Sequence, residues 1–585
     1  METANKLKYF LTIAILCLAW HCPLGVAPAQ AKSPDYQVFA FNDLGMHCYD
    51  NDFSIFAILP PFNVVHSQVV QKGAPPRLVD NSEVKVYYKS VASMIPGPHK
   101  GKIKSITTTS GLGKTNFWTY LNDLFGVSLP VDVGLLGAQM PGRFGKNTPQ
   151  PLDAFDGSMK WFTAAGIPIT NVDDRFKINP YPMMRIMAYQ QPGNVLRDSL
   201  DMVVPVSDEF QCGVCHSTGN DAAGMDSPFH GVTADKWSPR PDPLGYRENI
   251  LILHDAMSGT NLYVDSQANP PQPRLCASCH YSKALDLNNA GPQGSQVGHL
   301  PLSLAMHRHH GLPAGAGGQE GVIPIPEPDE GPGVITCYYC HPGNDTQCLR
   351  SVMAVSGMTC QNCHGGLPAI GGVTPAGDPA VLGSTGEVRR PWQDLPKCQS
   401  CHTGDAVDHL GDAIRQRQAF DANDPAATPI VAVNQRFAEN EGQLYRFSKG
   451  HGSMACEACH GSPHAEWPAR VTGNDNLTAK QIQGHTGPIV ECKVCHNQGM
   501  TQGLQGPHGL HSVNDRQWVT AHGSFYTQDQ QSCKACHGLS LEGTVLSRAA
   551  AKRGLPGKLR KRIAIPQGTA VSCALCHGNV YGATP

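Results

Sequence analysis

The sequence predicts an α+β chain in two unlike parts: a β-rich module over residues 32–205, then a loop-rich, mainly short-helical domain over residues 206–585. Three observations lead there. Alternation of apolar and polar residues with period two occurs in the first part, most clearly at Ser82–Val91 (SEVKVYYKSV). A five-residue CxxCH pattern occurs nine times, every copy after residue 210. Finally, 61 glycines and 47 prolines among 585 residues punctuate the chain too often for long helices or strands.

At the N-terminus, Lys6 and Lys8 precede an apolar run from Tyr9 to Trp20, and Ala29 and Ala31 form an A-x-A site before Lys32. Residues 1–31 therefore read as a secretory signal peptide, and the mature chain is expected in a periplasmic or extracellular compartment. The run falls short of the roughly 20 apolar residues a membrane helix needs, and no later segment approaches that length. Within the module, Tyr36–Phe41 and Ser82–Val91 are predicted strands. Thr115 is expected to cap a short helix with Phe117, Leu121, Leu124 and Phe125 on one face. These elements suit an α+β or β-sandwich-like module. Its most unusual segment is FNDLGMHCYDNDF, in which His47, Cys48, Asp50 and Asp52, with His66 or His99, have the donor types of a copper or zinc site. The preferred reading is a polar turn leading into a core strand, Phe53–Leu59. After residue 206, helices are expected at Arg247–Met257 and Asp408–Phe420. Gly311–Gly333 and Gly365–Pro391 read as surface excursions.

The nine motifs carry the chemistry. They are Cys212/Cys215/His216, Cys276/Cys279/His280, Cys337/Cys340/His341, Cys360/Cys363/His364, Cys398/Cys401/His402, Cys456/Cys459/His460, Cys492/Cys495/His496, Cys533/Cys536/His537 and Cys573/Cys576/His577. Two thiols two residues apart, followed at once by histidine, form the attachment signature of c-type haem. The thiols bond the two vinyl groups, and the histidine is the proximal iron ligand. Structural zinc also uses paired cysteines but needs no adjacent histidine, and all nine pairs have one. Nothing thioredoxin-like surrounds any pair, which argues against redox CxxC sites. The expected cofactor is therefore nine covalently attached haems c.

Composition fits that cofactor. A porphyrin buries apolar area without using apolar residues, in keeping with 41% hydrophobic and only 16% charged residues, against about 25% charged in ordinary soluble domains. The formal charge of −2 carries no basic excess of the kind nucleic-acid binding needs, and haem propionates add further acidity. Of 22 cysteines, 18 belong to the motifs, and Cys17 and Cys22 fall in the signal peptide. Cys48 and Cys348 are left over, a disulfide only if the fold brings them together.

The sixth iron position decides between carrying electrons and doing chemistry, because a protein ligand there keeps substrates out. Thirteen further histidines lie after residue 206, enough for nine irons. Candidate distal ligands are His230, His254, His299, His307, His310, His409, His451, His464, His485, His508 and His522. Within the clusters His307/His309/His310 and His508/His511, one member each is expected to ligate. His451 and His464 bracket one motif, and His485 and His522 precede others. Each is too close in sequence to swing onto its own haem's far face, so crosswise ligation of neighbours is expected. Methionine is the rival ligand and would raise the potential; with histidine so abundant, mostly bis-histidine irons are expected.

The nine motifs, the GHGSMACEACHGSPHAEW stretch and the export signal together make residues 200–585 resemble the multihaem c-type cytochromes of bacteria that respire metals or other extracellular acceptors. The resemblance implies a nine-haem cytochrome c domain over residues 206–585, while residues 32–205, which hold no CxxCH, read as a haem-free module. It also implies electron conduction to redox proteins or extracellular acceptors. Peripheral outer-membrane association and assembly into oligomers or filaments are compatible with it; neither nucleic acid nor a membrane span is expected. The alternative is a hydroxylamine oxidoreductase-like enzyme with one open-site haem acting on a small nitrogen or sulfur substrate. In that family a tyrosine bonds the catalytic haem, and Tyr338, Tyr339 and Tyr581 are available. The nitrite-reducing type is disfavoured because no CxxCK occurs. Residues 32–205 are expected to dock or orient the cytochrome. Arg548–Arg562 holds seven basic residues in fifteen, read as a solvated face or a surface for an acidic partner.

Overall fold

The computed structural model describes residues 35–578 apart from 44, 92–105, 110–112, 141–146, 226–230, 241–242, 268–271, 312–335, 344–345, 347, 350–352, 355–356, 375, 384, 403–418, 422, 431–434, 465–476, 498–502, 514–515 and 557–561. It has a mixed α+β architecture. The strands of the first part are β1 (Tyr36–Asn42), β2 (His47–Cys48), β3 (Phe56–Ala57), β4 (Phe62–Gln71), β5 (Arg77–Leu78), β6 (Val84–Val91), β7 (Gln150–Pro151), β8 (Ala154–Asp156), β9 (Trp161–Pro168), β10 (Met183–Gln190), β11 (Val195–Val203) and β12 (Val206–Ser207). One sheet runs β1–β4–β9–β8 with β5 on β4, and a second runs β11–β10–β6–β7. Both are antiparallel. Val38, Val65, Val69 and Phe162 of the first sheet meet Val84, Val86, Tyr88, Ile186 and Leu200 of the second in one buried cluster, the interior of a sandwich. Alternation is clean in β6, where Val84, Val86, Tyr88 and Ser90 are buried between less buried neighbours.

β1 behaves differently, with all seven residues buried. Val38 and Ala40 enter the sandwich interior, whereas Phe39 and Phe41 on the opposite face pack with Ala455, Ala458 and Val494. Ala458 lies inside the sixth CxxCH motif and Val494 inside the seventh, so the outer face of this sheet is their platform. Hydrogen bonds clamp the contact. Gln68 donates to the Met159 carbonyl (2.7 Å) and accepts from the Ala455 amide (2.9 Å). The Ser462 hydroxyl donates to the Asn42 carbonyl at 2.6 Å. Two short parallel pairings, β2 with β12 and β3 with β13 (Arg274–Leu275), add backbone bonds.

Beyond residue 207 the chain folds into single turns and short helices: α1 (Phe117–Phe125) belongs to the module, and α2 (Gly245–Ser258), α3 (Leu302–Gly311), α4 (Arg516–Gln528) and α5 (Gln530–His537) follow. A hairpin of β14 (Arg553–Pro556) and β15 (Arg562–Ile565) lies near the end. The predicted helix Arg247–Met257 falls within α2. The prediction for Asp408–Phe420 falls largely on residues outside those described. Gly365–Pro391 is mostly turns, as expected, with one helical turn at Leu367–Ile370; Gly311–Gly333 lies outside the described residues after Gly311.

One local expectation is corrected. Phe53–Leu59 forms strand only at β3, because Asp50 Oδ2 accepts the amides of Ile58 (2.7 Å) and Leu59 (2.8 Å) that a longer ladder would need. At the start of α1 the Thr115 hydroxyl accepts the Phe117 amide at 3.2 Å, the capping contact expected of it. The Asn116 side chain, at the boundary itself, accepts from the Phe53 amide and donates to Asp52, tying the helix to the module's unusual segment. The end of α1 follows the familiar rule: Gly126 takes φ +66° and donates its amide to the Asn122 carbonyl.

Arg247 of α2, 2% exposed, locks the second part to this segment. Its guanidinium lies 3.3 Å from Asp50 Oδ1 and 3.2 Å from the Phe56 carbonyl, over the Phe56 ring at 4.7 Å. Burial pushes the Asp50 carboxyl up, with Arg247 opposing. Asp50→Ala would strand the guanidinium and is expected to cost about 3–5 kcal/mol, read as a lowered urea midpoint. The paired change Asp50→Leu with Arg247→Met should cost much less. A loss below about 1 kcal/mol for Asp50→Ala, in the range of exposed pairs, would show that the fold does not rest on this pair.

Candidate haem sites and histidine pairs

Each CxxCH segment closes one helical turn. The histidine amide donates to the carbonyl of the first cysteine four residues back, at 2.9 Å for His216, 3.0 Å for His280, 2.8 Å for His341 and His402, 2.9 Å for His496 and 3.0 Å for His577. Residues one, four and five of a turn share a face. Two thiols and an imidazole are therefore presented together on one side of each turn, which is the donor set covalent haem requires.

Among the described residues, eight of the nine motif histidines meet a second imidazole. Ring centres are separated by 6.3 Å for His216 and His310, 6.1 Å for His341 and His307, and 6.1 Å for His364 and His464. They are separated by 5.8 Å for His460 and His508, 6.2 Å for His496 and His451, 6.4 Å for His537 and His511, and 5.7 Å for His577 and His522. His280 has two neighbours, His254 at 6.3 Å and His299 at 5.9 Å. An imidazole nitrogen binds a metal at about 2 Å, so two rings sharing one ion from opposite sides have centres about 6 Å apart. The residues present thus fit a six-coordinate haem iron.

The remaining ring nitrogen is also arranged. Nδ1 is hydrogen-bonded to a backbone carbonyl in His280 (Leu300, 2.8 Å), His299 (Ser295, 2.6 Å), His307 (Ser303, 2.6 Å), His310 (Met306, 2.8 Å), His508 (Arg436, 2.7 Å), His522 (Val519, 2.8 Å) and His537 (Val571, 2.7 Å). A carbonyl accepts only from N–H, which fixes the tautomer and leaves the Nε2 lone pair to a metal. Burial pushes His216, His307, His460 and His511 down to about 4 and His364 to about 3. All are neutral, as ligands must be, at neutral pH.

The structure departs from the sequence expectation at several candidates. In both histidine clusters two members, not one, meet different motif histidines: His307 and His310 of α3 face His341 and His216, while His508 and His511 face His460 and His537. His511 lies outside the preferred candidates; its three-residue spacing from His508 is the signal that marks it. His485 meets no motif histidine among the described residues: its Nδ1 contacts the Thr486 carbonyl (2.8 Å) and its Nε2 the Glu491 carboxylate (3.1 Å). His230 and His409 lie outside the described residues. Arg389 escaped notice altogether; it is 1% exposed and donates to the His364 carbonyl.

Numbered along the chain, motifs close in sequence are neighbours in space, except that the first stands between the second and the third. Cys276 and Cys212 both lie within reach of Asp50 and Arg247. Burial, then Cys212 and Cys215, push Cys340 up to about 12. Cys337 and Cys360 share a thiol hydrogen bond. Burial followed by Cys363 raises Cys401 to about 11, and Cys456 lies near Cys398. Burial followed by Cys495 raises Cys459 to about 12. Cys492 Sγ is 4.0 Å from Ser512 Oγ, next to His511, and Cys573 lies near Cys533. The spatial order of motifs is therefore two, one, three, four, five, six, seven, eight, nine.

The eighteen motif cysteines share one local pattern, but their settings differ. Most of them are half-buried, and burial raises Cys215, Cys363 and Cys576. Cys279 and Cys340 depart from this setting. Both are exposed, and Cys279 Sγ accepts from the Ser278 hydroxyl at 3.9 Å. Cys536 departs in another way. The eighth motif is not a turn standing alone but the last part of α5, whose start is capped by the Asp529 carboxylate accepting the Ser532 amide at 3.1 Å. Cys536 is consequently held by a longer helix, and its carbonyl accepts from the Thr544 hydroxyl.

No protein-family model matches the chain, and no curated protein or solved structure matches it either.

The donors of FNDLGMHCYDNDF scatter. Asp50 serves Arg247, Asp52 serves Ser54 and Asn116, and Cys48 packs with Met46, Tyr181, Met183 and Cys348. Cys48 and Cys348 are both thiols. His47 Nε2 lies 3.6 Å from Asp43, and His66 stacks on Trp161 at 4.1 Å. Among the described residues no three metal-type side chains converge; His99 lies outside them. Burial holds His66 down to about 4, with Asp43 opposing. The unfolded ring protonates near 6.5, so the stability gained by keeping His66 neutral is complete above pH 6.5. It falls as pH drops, by about 3 kcal/mol at pH 4. His66→Phe should remove that part of the acid sensitivity in urea unfolding at pH 7 and 4.5. Identical losses in the two proteins would refute it.

Proposed function

We propose that this chain is an exported multihaem c-type cytochrome passing electrons along nine covalent, mostly bis-histidine haems in periplasmic or extracellular respiration. The observation that carries the reading is the pairing of motif histidines with second rings at a separation suited to one shared metal. When bound, haem supplies a one-electron iron couple whose potential follows its axial ligands and burial.

The chain's own residues bind, orient and enclose. Paired thiols anchor each group, carbonyl-bound imidazoles fix two axial ligands, and crosswise donation from neighbouring segments holds successive groups close. His464, four residues after the sixth motif, belongs to the fourth site, and His451, five residues before the sixth motif, to the seventh. Packing Phe39 and Phe41 on the sixth and seventh motifs gives the haem-free sandwich the role of a rigid support. No helix among the described residues is long and apolar enough to cross a membrane.

The denatured protein should retain haem absorption equivalent to nine groups per chain, and paramagnetic resonance of the oxidised form should show low-spin iron. His464→Ala should convert one iron to a high-spin, carbon monoxide-binding form, whereas His485→Ala should leave the spectrum unchanged. Loss of all haem absorption on denaturation would end the reading. A high-spin iron in the unaltered protein would favour the enzymatic alternative.

A further inference from the structure

We infer that the last two motifs form a docking face for an acidic one-electron carrier protein, which exchanges electrons at the ninth site. The inference rests on the haem reading above.

Residues 530–585 contain eight lysines and arginines against a single acid, Glu542, in a chain whose overall charge is −2. The remainder is therefore net acidic, and positive charge is concentrated at one end of the motif order. The β14–β15 hairpin is built onto that end. The Ala549 amide donates to the Thr569 carbonyl at 2.9 Å and the Val571 amide to Ser547 at 3.1 Å, while the Val571 carbonyl accepts from His537 Nδ1 at 2.7 Å. Arg553 is committed to Glu491 at 2.5 Å. Arg548, Lys552 and Arg562 are exposed.

Beside them, three large apolar residues from the same stretch are also exposed: Leu539 at 49%, Val545 at 48% and Leu575, inside the ninth motif, at 41%. Apolar contacts bordered by charge are the ordinary composition of a transient interface. Cations at the rim draw an acidic protein in and orient it before contact. In the complex the reduced partner gives up one electron, and the iron held by His577 passes from ferric to ferrous. The competing role for these cations is to neutralise haem propionates, which would leave association with an acidic protein insensitive to them.

An acidic plant-type [2Fe–2S] ferredoxin is a suitable probe. Its equilibrium binding and its second-order rate of reducing the haem-loaded protein would be measured between about 0.01 and 0.5 M salt. The triple variant Arg548→Gln, Lys552→Gln, Arg562→Gln should bind more weakly, react about tenfold more slowly at low salt and lose most of the salt dependence. Arg548→Lys with Arg562→Lys should behave as the unaltered protein. Reduction by the small methyl viologen radical cation should not slow in either variant. Unchanged ferredoxin binding and salt dependence in the triple variant would overturn the proposal, as would equal loss in the lysine variant. Absence of covalent haem, seen before any ferredoxin is added, would instead overturn the underlying reading.

Discussion

Two thiols and an imidazole must stand on one face of a single helical turn, and a second imidazole must arrive opposite them from elsewhere in the chain. The first requirement is local, and residues one, four and five of each CxxCH turn meet it through one backbone hydrogen bond. The second is long-range. His364 and His464 are a hundred residues apart and His216 and His310 nearly as far, yet their rings lie about 6 Å apart. Every irregular loop in the second part is constrained by where such pairs must meet.

That constraint explains why the second part has so little interior of its own. One of its apolar clusters gathers only Ala222, Ala223, Val232, Trp237, Ile252 and Leu253, far fewer than the sandwich interior holds. A part with so few apolar residues of its own needs a support elsewhere. The sandwich supplies it by burying β1 on both faces, one against its own sheets and one against the sixth and seventh motifs. At one end of the motif order, Arg247 and Asp50 join the module to the first and second motifs. The module thus grips the motif series at that end and again past its middle.

Burial also sets the chemistry of the rings. Desolvation disfavours the charged imidazolium, so histidines held in the interior stay neutral and keep a lone pair. Backbone carbonyls then choose which nitrogen presents it. His485 is set apart from its neighbours by its contacts, a carboxylate at one nitrogen and a carbonyl at the other in place of a motif histidine.

The alternation at Ser82–Val91, the apolar face of Phe117–Phe125 and the nine CxxCH turns depend on neighbours within a few residues, so the sequence by itself determined them, along with the identity of the thiol and proximal histidine donors. Which distal histidine faces which motif depended on tertiary structure, because crosswise pairing joins segments that local spacing cannot connect. That is why spacing suggests one ligand per cluster where two are used, and why His485 looks as suitable as His451. Exposure of Cys279 and Cys340 beside their half-buried counterparts was equally beyond local reading, since nine motifs of one pattern differ chiefly in what packs around them. The short strand at Phe56–Ala57 likewise came from Asp50 capturing amides from outside the ladder. Local periodicity records which face a residue occupies; what lies against that face is decided only when distant segments compete for the same space.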